Sequence, residues 1–249
     1  MTTRQGGVSA QPWSSLNVGD HVADDPACVK ANRHFVAQSL QAQPVYVKQV
    51  HGTHGLAIDA FTPSSTQADV VWTTHPDIAC AMMVADCLPV LVCHPQARWV
   101  AAAHAGWRGL AGAQGLGVME TLASAAKAQG LRLQDCLVWL GPCIGASAFE
   151  VGQDVVTAFQ QATPDQDLGN WIKPSGTQFL ADLAGLARLR LQLAGFLRIY
   201  GNDSTSSWCT YGQEALYHSH RRDAIAKGGA GRMAAYIWIT ASSGWVGAA

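Results

Sequence analysis

Three side chains with the chemistry of zinc ligands stand far apart in the chain: His51, Cys87 and His104. Each closes an apolar, strand-like run. Val45-Tyr46-Val47-Lys48-Gln49-Val50 precedes His51, Met83-Val84-Ala85-Asp86 precedes Cys87, and Val100-Ala101-Ala102-Ala103 precedes His104. A turn signal follows each at once: Gly52, Leu88-Pro89 and Ala105-Gly106. Adjacent strand ends deliver side chains to one point, so the three predict a zinc site; zinc takes N and S donors at tetrahedral geometry and keeps a position open where it is catalytic. A thiolate and two imidazoles leave the ion residual positive charge, able to bring the pKa of a bound water towards about 7 or to polarise a substrate atom. A lone His or Cys in an apolar strand also serves as a satisfied core residue, and the spacing, 35 and then 16 intervening residues, does not choose between the two.

Other polar groups extend the candidate site. Asp86, beside Cys87, is expected to orient a ligand or accept a proton, a turn carboxylate being the alternative. With Cys87, His104 and His51 it forms the candidate catalytic set. Arg108 precedes a glycine-rich helix start with free backbone N–H groups and is the first candidate for a phosphate or ribose contact. Arg221 and Arg222 are the second, a salt bridge to Asp223 being the alternative. Trp107 offers a face for a purine ring or for packing. No G-x-G-x-x-G, Walker loop, H-E-x-x-H or G-x-S-x-G occurs, which sets those cofactor and hydrolase classes aside.

The elements that must position these groups alternate in type. Asp24-Asp25-Pro26 marks a helix start and predicts a helix to about residue 41. Short β-rich runs follow at 44–50, 68–73, 78–84, 88–93 and 99–103, several apolar on both faces, which predicts a sheet covered on both sides. A glycine-bearing helix is expected over 109–129, a strand over 137–140, and helices over 152–161 and 179–195, the last with Leu186, Leu189, Leu193 and Phe196 at helical spacing. Late strands are expected at 196–200 and 233–240, and fraying at 242–249. The pattern predicts one mixed α/β domain over 1–249, its mixed β-sheets covered by outer helices in a layered α-β-β-α-like sandwich.

Composition narrows the setting. Only 13% of the 249 residues are charged while 49% are hydrophobic, so much of the chain must be buried. A net charge of −1 lacks the positive field that phosphate-backbone binding requires, which argues against a nucleic-acid partner. The cysteines number seven, are widely spaced and form no C-x-x-C pair, so they do not make a disulfide framework. Residues 1–15 hold no apolar signal core, and no run approaches the roughly 18 apolar residues of a membrane span. The expectation is a reduced, cytoplasmic protein with no membrane partner.

Ten ordered stretches carry a resemblance. They include Lys48-Gln49-Val50-His51-Gly52, Ala68-Asp69, Ala85-Asp86-Cys87-Leu88-Pro89-Val90, His104-Ala105-Gly106-Trp107-Arg108-Gly109, Gly141-Pro142-Cys143-Ile144-Gly145, Ser219-His220-Arg221-Arg222-Asp223 and Gly231-Arg232. From about residue 4 to 239 the chain resembles the bacterial family labelled polyphenol oxidoreductase, laccase-like, or peptidoglycan editing factor. Its members are also described as zinc-dependent purine nucleoside phosphorylases with adenosine deaminase activity. The resemblance implies a zinc site at His51, Cys87 and His104, small-molecule substrates (a purine nucleoside and phosphate), phosphorolysis of adenosine, inosine and methylthioadenosine, and deamination of adenosine. One departure is His218, at a position that looks aromatic in many relatives; a solvated strand face or a second metal contact is expected there.

Three rivals stand beside this expectation. A copper-dependent, laccase-like polyphenol oxidase fits the older label, because copper can occupy an imidazole and thiolate site; the chain nevertheless has only nine His and a single His-x-His pair. A hydrolase editing cell-wall precursors could use the same metal. Structural zinc would need a fourth ligand, with His54 or Cys143 the candidates.

Overall fold

The structure, a computed structural model, describes residues 1–241, so the fraying expected over 242–249 lies outside the described residues. In chain order the elements are α1 (Pro26–Leu40), β1 (Gln43–Val45), β2 (Gly55–Ala57), β3 (Val70–Thr73), β4 (Ile78–Val84), β5 (Leu88–Cys93), β6 (Val100–Ala105), α2 (Trp107–Ala111), α3 (Val118–Ala128), β7 (Leu137–Leu140), β8 (Glu150–Val151), α4 (Gln153–Ala162), β9 (Ile172–Ser175), β10 (Gln178–Ala181), α5 (Leu183–Ala194), β11 (Arg198–Gly201), α6 (His220–Ala226) and β12 (Met233–Ile237).

A six-stranded mixed sheet has the order β11-β7-β5-β6-β3-β2, and a three-stranded mixed sheet the order β1-β4-β12. Because successive strand side chains point to opposite faces, each central strand feeds two layers. On β4, Cys80 and Met82 meet Leu91, Val100 and Ala102 of the larger sheet, while Ala81 and Met83 pack with Val36 of α1. On β6, Ala101, Ala103 and Ala105 face Met119, Leu122 and Ala126 of α3 and Leu186 of α5. The result is the expected α-β-β-α layering, with helices outside two mixed sheets. Each fully buried Leu or Met contributes roughly 1.5–3 kcal/mol through its lost contact with water. Among the described residues no helix is long and apolar enough to cross a membrane.

Local chemistry explains both the matches and the differences. Helix α1 starts as expected, with Pro26 at its first position and the Asp25 carboxylate accepting from Ala27 N, and ends at Gln41 in a left-handed conformation. The single helix expected over 109–129 is instead two helices, α2 and α3. Gly112 (φ +67°) and Gly115 (φ +76°) turn the chain between them, and a Cβ on Gly112 would stand 2.2 Å from Leu116 O. Buried Arg190 of α5 holds this turn through Gly115 O at 2.7 Å and pairs with Glu120 of α3 at 2.8 Å. Gly109 does give close packing: a Cβ there would come 2.7 Å from Gly52 O, beside His51. The expected helix over 179–195 begins late, because residues 178–181 form β10 in a small sheet of order β8-β10-β9; Asp182 caps α5, and Leu193 is exposed.

All seven cysteines are free thiols. Cys80 and Cys136 are buried, and Cys28 and Cys93 are half-buried. Replacing any of these four by Ala should cost at most about 2 kcal/mol, the scale of a small core deletion. Metal content should be unchanged; loss of metal on changing Cys93 would identify a different cluster.

Candidate metal centre and flanking hollows

Asp69, immediately before β3, is fully buried and organises two of the three candidate ligands. Its carboxylate accepts the backbone N–H groups of Val50 (3.1 Å), His51 (3.1 Å) and Gly52 (2.8 Å). It also accepts Nδ1–H of His104 at 2.8 Å. With Nδ1 so held, Nε2 of His104 is the atom left for a metal. The Asp69 main chain repeats the clasp, its carbonyl accepting from His104 N at 2.8 Å.

The strand-end expectation holds in outline and differs in register. His104 lies within β6, paired opposite Pro89 of β5, one residue before the strand ends. The run over 44–50 is a strand only to Val45; beyond it a single bridge, Lys48 to Gln67, leads to His51 at φ +59°. Cys87 sits in the β4–β5 turn after Asp86, at φ +85°. Gly106 closes the floor, because a Cβ there would stand 2.9 Å from the His51 ring and 3.1 Å from Cys87 Sγ.

One ligand atom from each of His51, Cys87 and His104 lies within 4.8 Å of the others. Cys87 Sγ is 3.8 Å from His51 Nε2. Burial opposes ionisation of Cys87, yet the His104 and His51 imidazoles overcome it and bring the thiol down to about 6. Burial likewise opposes charge on His104, while the Cys87 sulfur and the Asp69 carboxylate raise it to about 9. A thiolate and two imidazoles suit zinc or copper. Neither His54 nor Cys143 belongs to the group. Among the described residues, then, three candidate ligands converge, and a tetrahedral ion held by them would keep one coordination position open.

Asp86 does not face this centre with a free oxygen. Oδ1 accepts from Thr210 Oγ1 at 2.6 Å, and Oδ2 from Ser219 Oγ at 3.0 Å and Arg221 N at 2.7 Å. Its carboxylate fastens the turn carrying Cys87 to the start of α6, which makes it a positioning group. Arg222, expected to contact substrate, is instead consumed by structure: it donates to the carbonyls of Thr210, Tyr211 and Tyr217 and to both Asp223 oxygens. Arg221 is exposed, donates to Glu150 O and lies 5.8 Å from the Phe149 ring. Arg108 is exposed too, its guanidinium 4.3 Å from the Trp107 ring.

Two hollows meet at Cys87. One, of about 140 Å³, is walled by Trp107, Ile144, Phe149 and Leu183, with His220 and Arg221 at its polar side. The other, of about 200 Å³, holds His51, Cys87, His104, His21, His220 and Arg232. Asp69, His220 and Arg232 join the candidate site although the chemistry of single residues did not single them out; the Ala68-Asp69, Ser219-His220-Arg221-Arg222-Asp223 and Gly231-Arg232 stretches were their only signal. His218 is neither a solvated strand residue nor a metal contact. It is fully buried against Gly231, and burial, aided by Arg4, takes it down to about 3, so it stays neutral.

Comparison with known proteins gives a consistent picture. The sequence model of the family described as multi-copper polyphenol oxidoreductase laccase matches residues 1–240. A protein of Pseudomonas aeruginosa named purine nucleoside phosphorylase is 39% identical over 239 residues, covering 96% of this chain and 92% of the relative. Purine nucleoside phosphorylase YfiH of Escherichia coli is 41% identical over 240 residues, with the same coverages of 96% and 92%. A crystal structure of a Neisseria meningitidis protein superposes with a TM-score of 0.84 at 40% identity, covering 96% of this chain and 93% of that one.

Cys87→Ala should remove most bound metal, and Asp69→Asn, which weakens the hold on both His51 and His104, should lower zinc affinity about 10–100-fold by competitive chelator titration. Full zinc retention in the Cys87 variant would place the site elsewhere. A second expectation concerns acid stability. Burial opposes charge on Asp223, but its bonds from Arg222 and Lys227 hold it down at about 2, below the 3.8 of a free aspartate. Its stabilisation is therefore fully present above about pH 4 and is lost as pH falls towards 2. Asp223→Asn should cost about 3 kcal/mol in denaturant unfolding at pH 7 and remove that acid dependence.

Proposed function

We propose that this chain, which belongs to the multi-copper polyphenol oxidoreductase laccase family, is a zinc-dependent enzyme of purine nucleosides. It cleaves adenosine, inosine and methylthioadenosine with phosphate and deaminates adenosine. The observation that carries the proposal is the junction at Cys87 between a three-ligand centre with one open position and an apolar hollow faced by Trp107 and Phe149. A purine is flat, apolar on its faces and polar at its edges, and such a hollow accepts the faces while Arg221 meets an edge. Arg108, extended over Trp107, is proposed as a second substrate contact. The curated relatives named purine nucleoside phosphorylase support the same assignment.

In phosphorolysis a phosphate oxygen forms a bond to C1′ of the ribose and the C1′–N9 bond breaks. The bonding pair goes to the base, and the proton of hydrogen phosphate ends on the purine. Zinc, when bound by His51, Cys87 and His104, supplies Lewis acidity at its open position, which favours both loss of the base and ionisation of water for deamination. Asp69 keeps His104 in the tautomer that presents Nε2. His220 lines both hollows, and burial together with Arg232 holds it below its ordinary pKa, so it offers a neutral imidazole to the substrate.

An oxidase with several coppers would need more converging ligands than the single group of three found among the described residues. Copper in that group would be opportunistic, since divalent copper outranks zinc in intrinsic affinity. A hydrolase of cell-wall precursors would meet a hollow whose apolar walls favour a flat base. Seven free thiols agree with action in the reducing cytoplasm.

Protein prepared without added copper should carry about one zinc per chain. Incubated with inosine, it should yield hypoxanthine and ribose 1-phosphate by mass, and only with phosphate present. Adenosine should give inosine without phosphate. Zinc-replete protein that leaves both nucleosides intact would refute the proposal, and copper in place of zinc in protein made without added copper would favour the oxidase.

A further inference from the structure

Arg232 presents a half-buried positive charge in the hollow that holds the three metal ligands, and that hollow has no carboxylate in its lining. Among the described residues no carboxylate lies within ion-pairing distance of it. Its two hydrogen bonds, to Ala230 O at 2.8 Å and Gly231 O at 3.2 Å, both come from Nη1, leaving Nε and Nη2 unengaged. The anionic groups acting on it are Cys87 and Asp86; the first is a metal ligand and the second is saturated by Thr210, Ser219 and Arg221. Removing a guanidinium from water without a partner is costly, so a cation held this way is poised for an anion that arrives from solution.

The residue is also fixed in place. Its backbone N–H donates to the buried Asn17 Oδ1 at 2.8 Å, and its carbonyl accepts from Val18 N at 3.0 Å. Its stem crosses Gly19, where a Cβ would stand 2.6 Å from Arg232 Cγ. Two residues on, the same segment brings His21 into the hollow, and His220 faces it from α6. The three arginines that the sequence offers as substrate contacts are disposed differently: Arg108 lies over Trp107, Arg221 on Glu150 O, and Arg222 is saturated.

We infer that Arg232, flanked by His21 and His220, is the binding site for the inorganic phosphate co-substrate, in the hollow that shares Cys87 and His220 with the apolar one. This rests on the proposed phosphorolysis and assigns its anion. A guanidinium binds two phosphate oxygens through a planar fork, and Gly19 is the positioning residue that lets its stem lie flat.

Binding of inorganic phosphate to the zinc-loaded protein, measured by calorimetry, tests the assignment independently of turnover. Arg232→Ala should weaken it at least about tenfold, as loss of a charged hydrogen-bonding group implies. Arg232→Lys, which keeps the stem and the charge, should weaken it several-fold, and Gly19→Ala should do likewise by displacing the stem. In turnover the KM for phosphate should rise in parallel while the KM for inosine moves little, with zinc content unchanged. Phosphate binding that survives Arg232→Ala, or is lost instead in Arg108→Ala, overturns the assignment and leaves the nucleoside proposal standing. So does a variant that loses 5′-AMP but keeps inorganic phosphate, since the anion would then be the substrate's own 5′ group. Arg232-dependent phosphate binding in a protein that cleaves no nucleoside refutes the proposed reaction and keeps the anion site.

Discussion

A single buried carboxylate holds the candidate site together. Asp69 accepts four hydrogen bonds, three from the backbone of residues 50–52 and one from the His104 ring. Two metal ligands from distant parts of the chain thereby share one anchor. Removal of this charge from solvent is compensated by the four donors, and the bond from His104 keeps its carboxyl below the ordinary aspartate range despite burial. Because the same group sets the His104 tautomer and the His51 loop, its geometry is passed directly to the metal.

The third ligand has its own anchor. Asp86 carries Cys87 on a left-handed turn, which a non-glycine residue adopts only at some cost in energy. Three donors from residues 210–221 hold the turn there. The same bonds dock α6, whose first residues His220 and Arg221 line the hollows. The candidate metal ligand Cys87 and the hollow-lining His220 and Arg221 are thus positioned by one carboxylate, so a change at Asp86 reaches both at once. Gly106 completes the arrangement by absence of a side chain, since even one methyl group would press on His51 and Cys87.

The layering was legible in sequence because burial imposes period-two alternation on strands and leaves doubly covered strands apolar throughout, as on β4. The convergence of His51, Cys87 and His104 was legible because each follows an apolar run and precedes a turn. Less visible were the positions where backbone geometry overrides pattern: the Ala-, Leu- and Gly-rich stretch after Arg108 reads as one helix, yet Gly112 and Gly115 adopt left-handed conformations and split it. Likewise, β10 turns back on β9 in a tight hairpin and pairs with the distant β8, and periodicity within 179–195 does not report either pairing. Asp69 gave little local signal, and Asp86 stood out beside Cys87 without revealing its bonds to Thr210, Ser219 and Arg221, since a carboxylate's partners are set by tertiary contacts. Arg222 and Arg232 show the same limit in opposite directions: adjacent Asp223 consumes the first, while the second, without an acidic neighbour, is left free.

That contrast between paired and unpaired arginines gives the site its polarity. Paired cations lie under α6, where Arg222 and Lys227 neutralise the buried Asp223. On the metal side the lining holds no carboxylate: its titratable groups are Arg232, four imidazoles and the Cys87 sulfur, and the acids that approach it, Asp69 and Asp86, are turned away into hydrogen bonds. Apart from the Cys87 thiolate, which a bound metal would neutralise, such a hollow opposes an incoming oxyanion with no negative charge, and Arg232 would add to the pull of a metal on whatever occupies its open position. Phosphate and water are both oxygen nucleophiles drawn to such a field. Under the proposed function, then, phosphorolysis and deamination share one electropositive centre beside one apolar wall, and the atom of the nucleoside presented to that centre, C1′ or C6, decides which bond is broken.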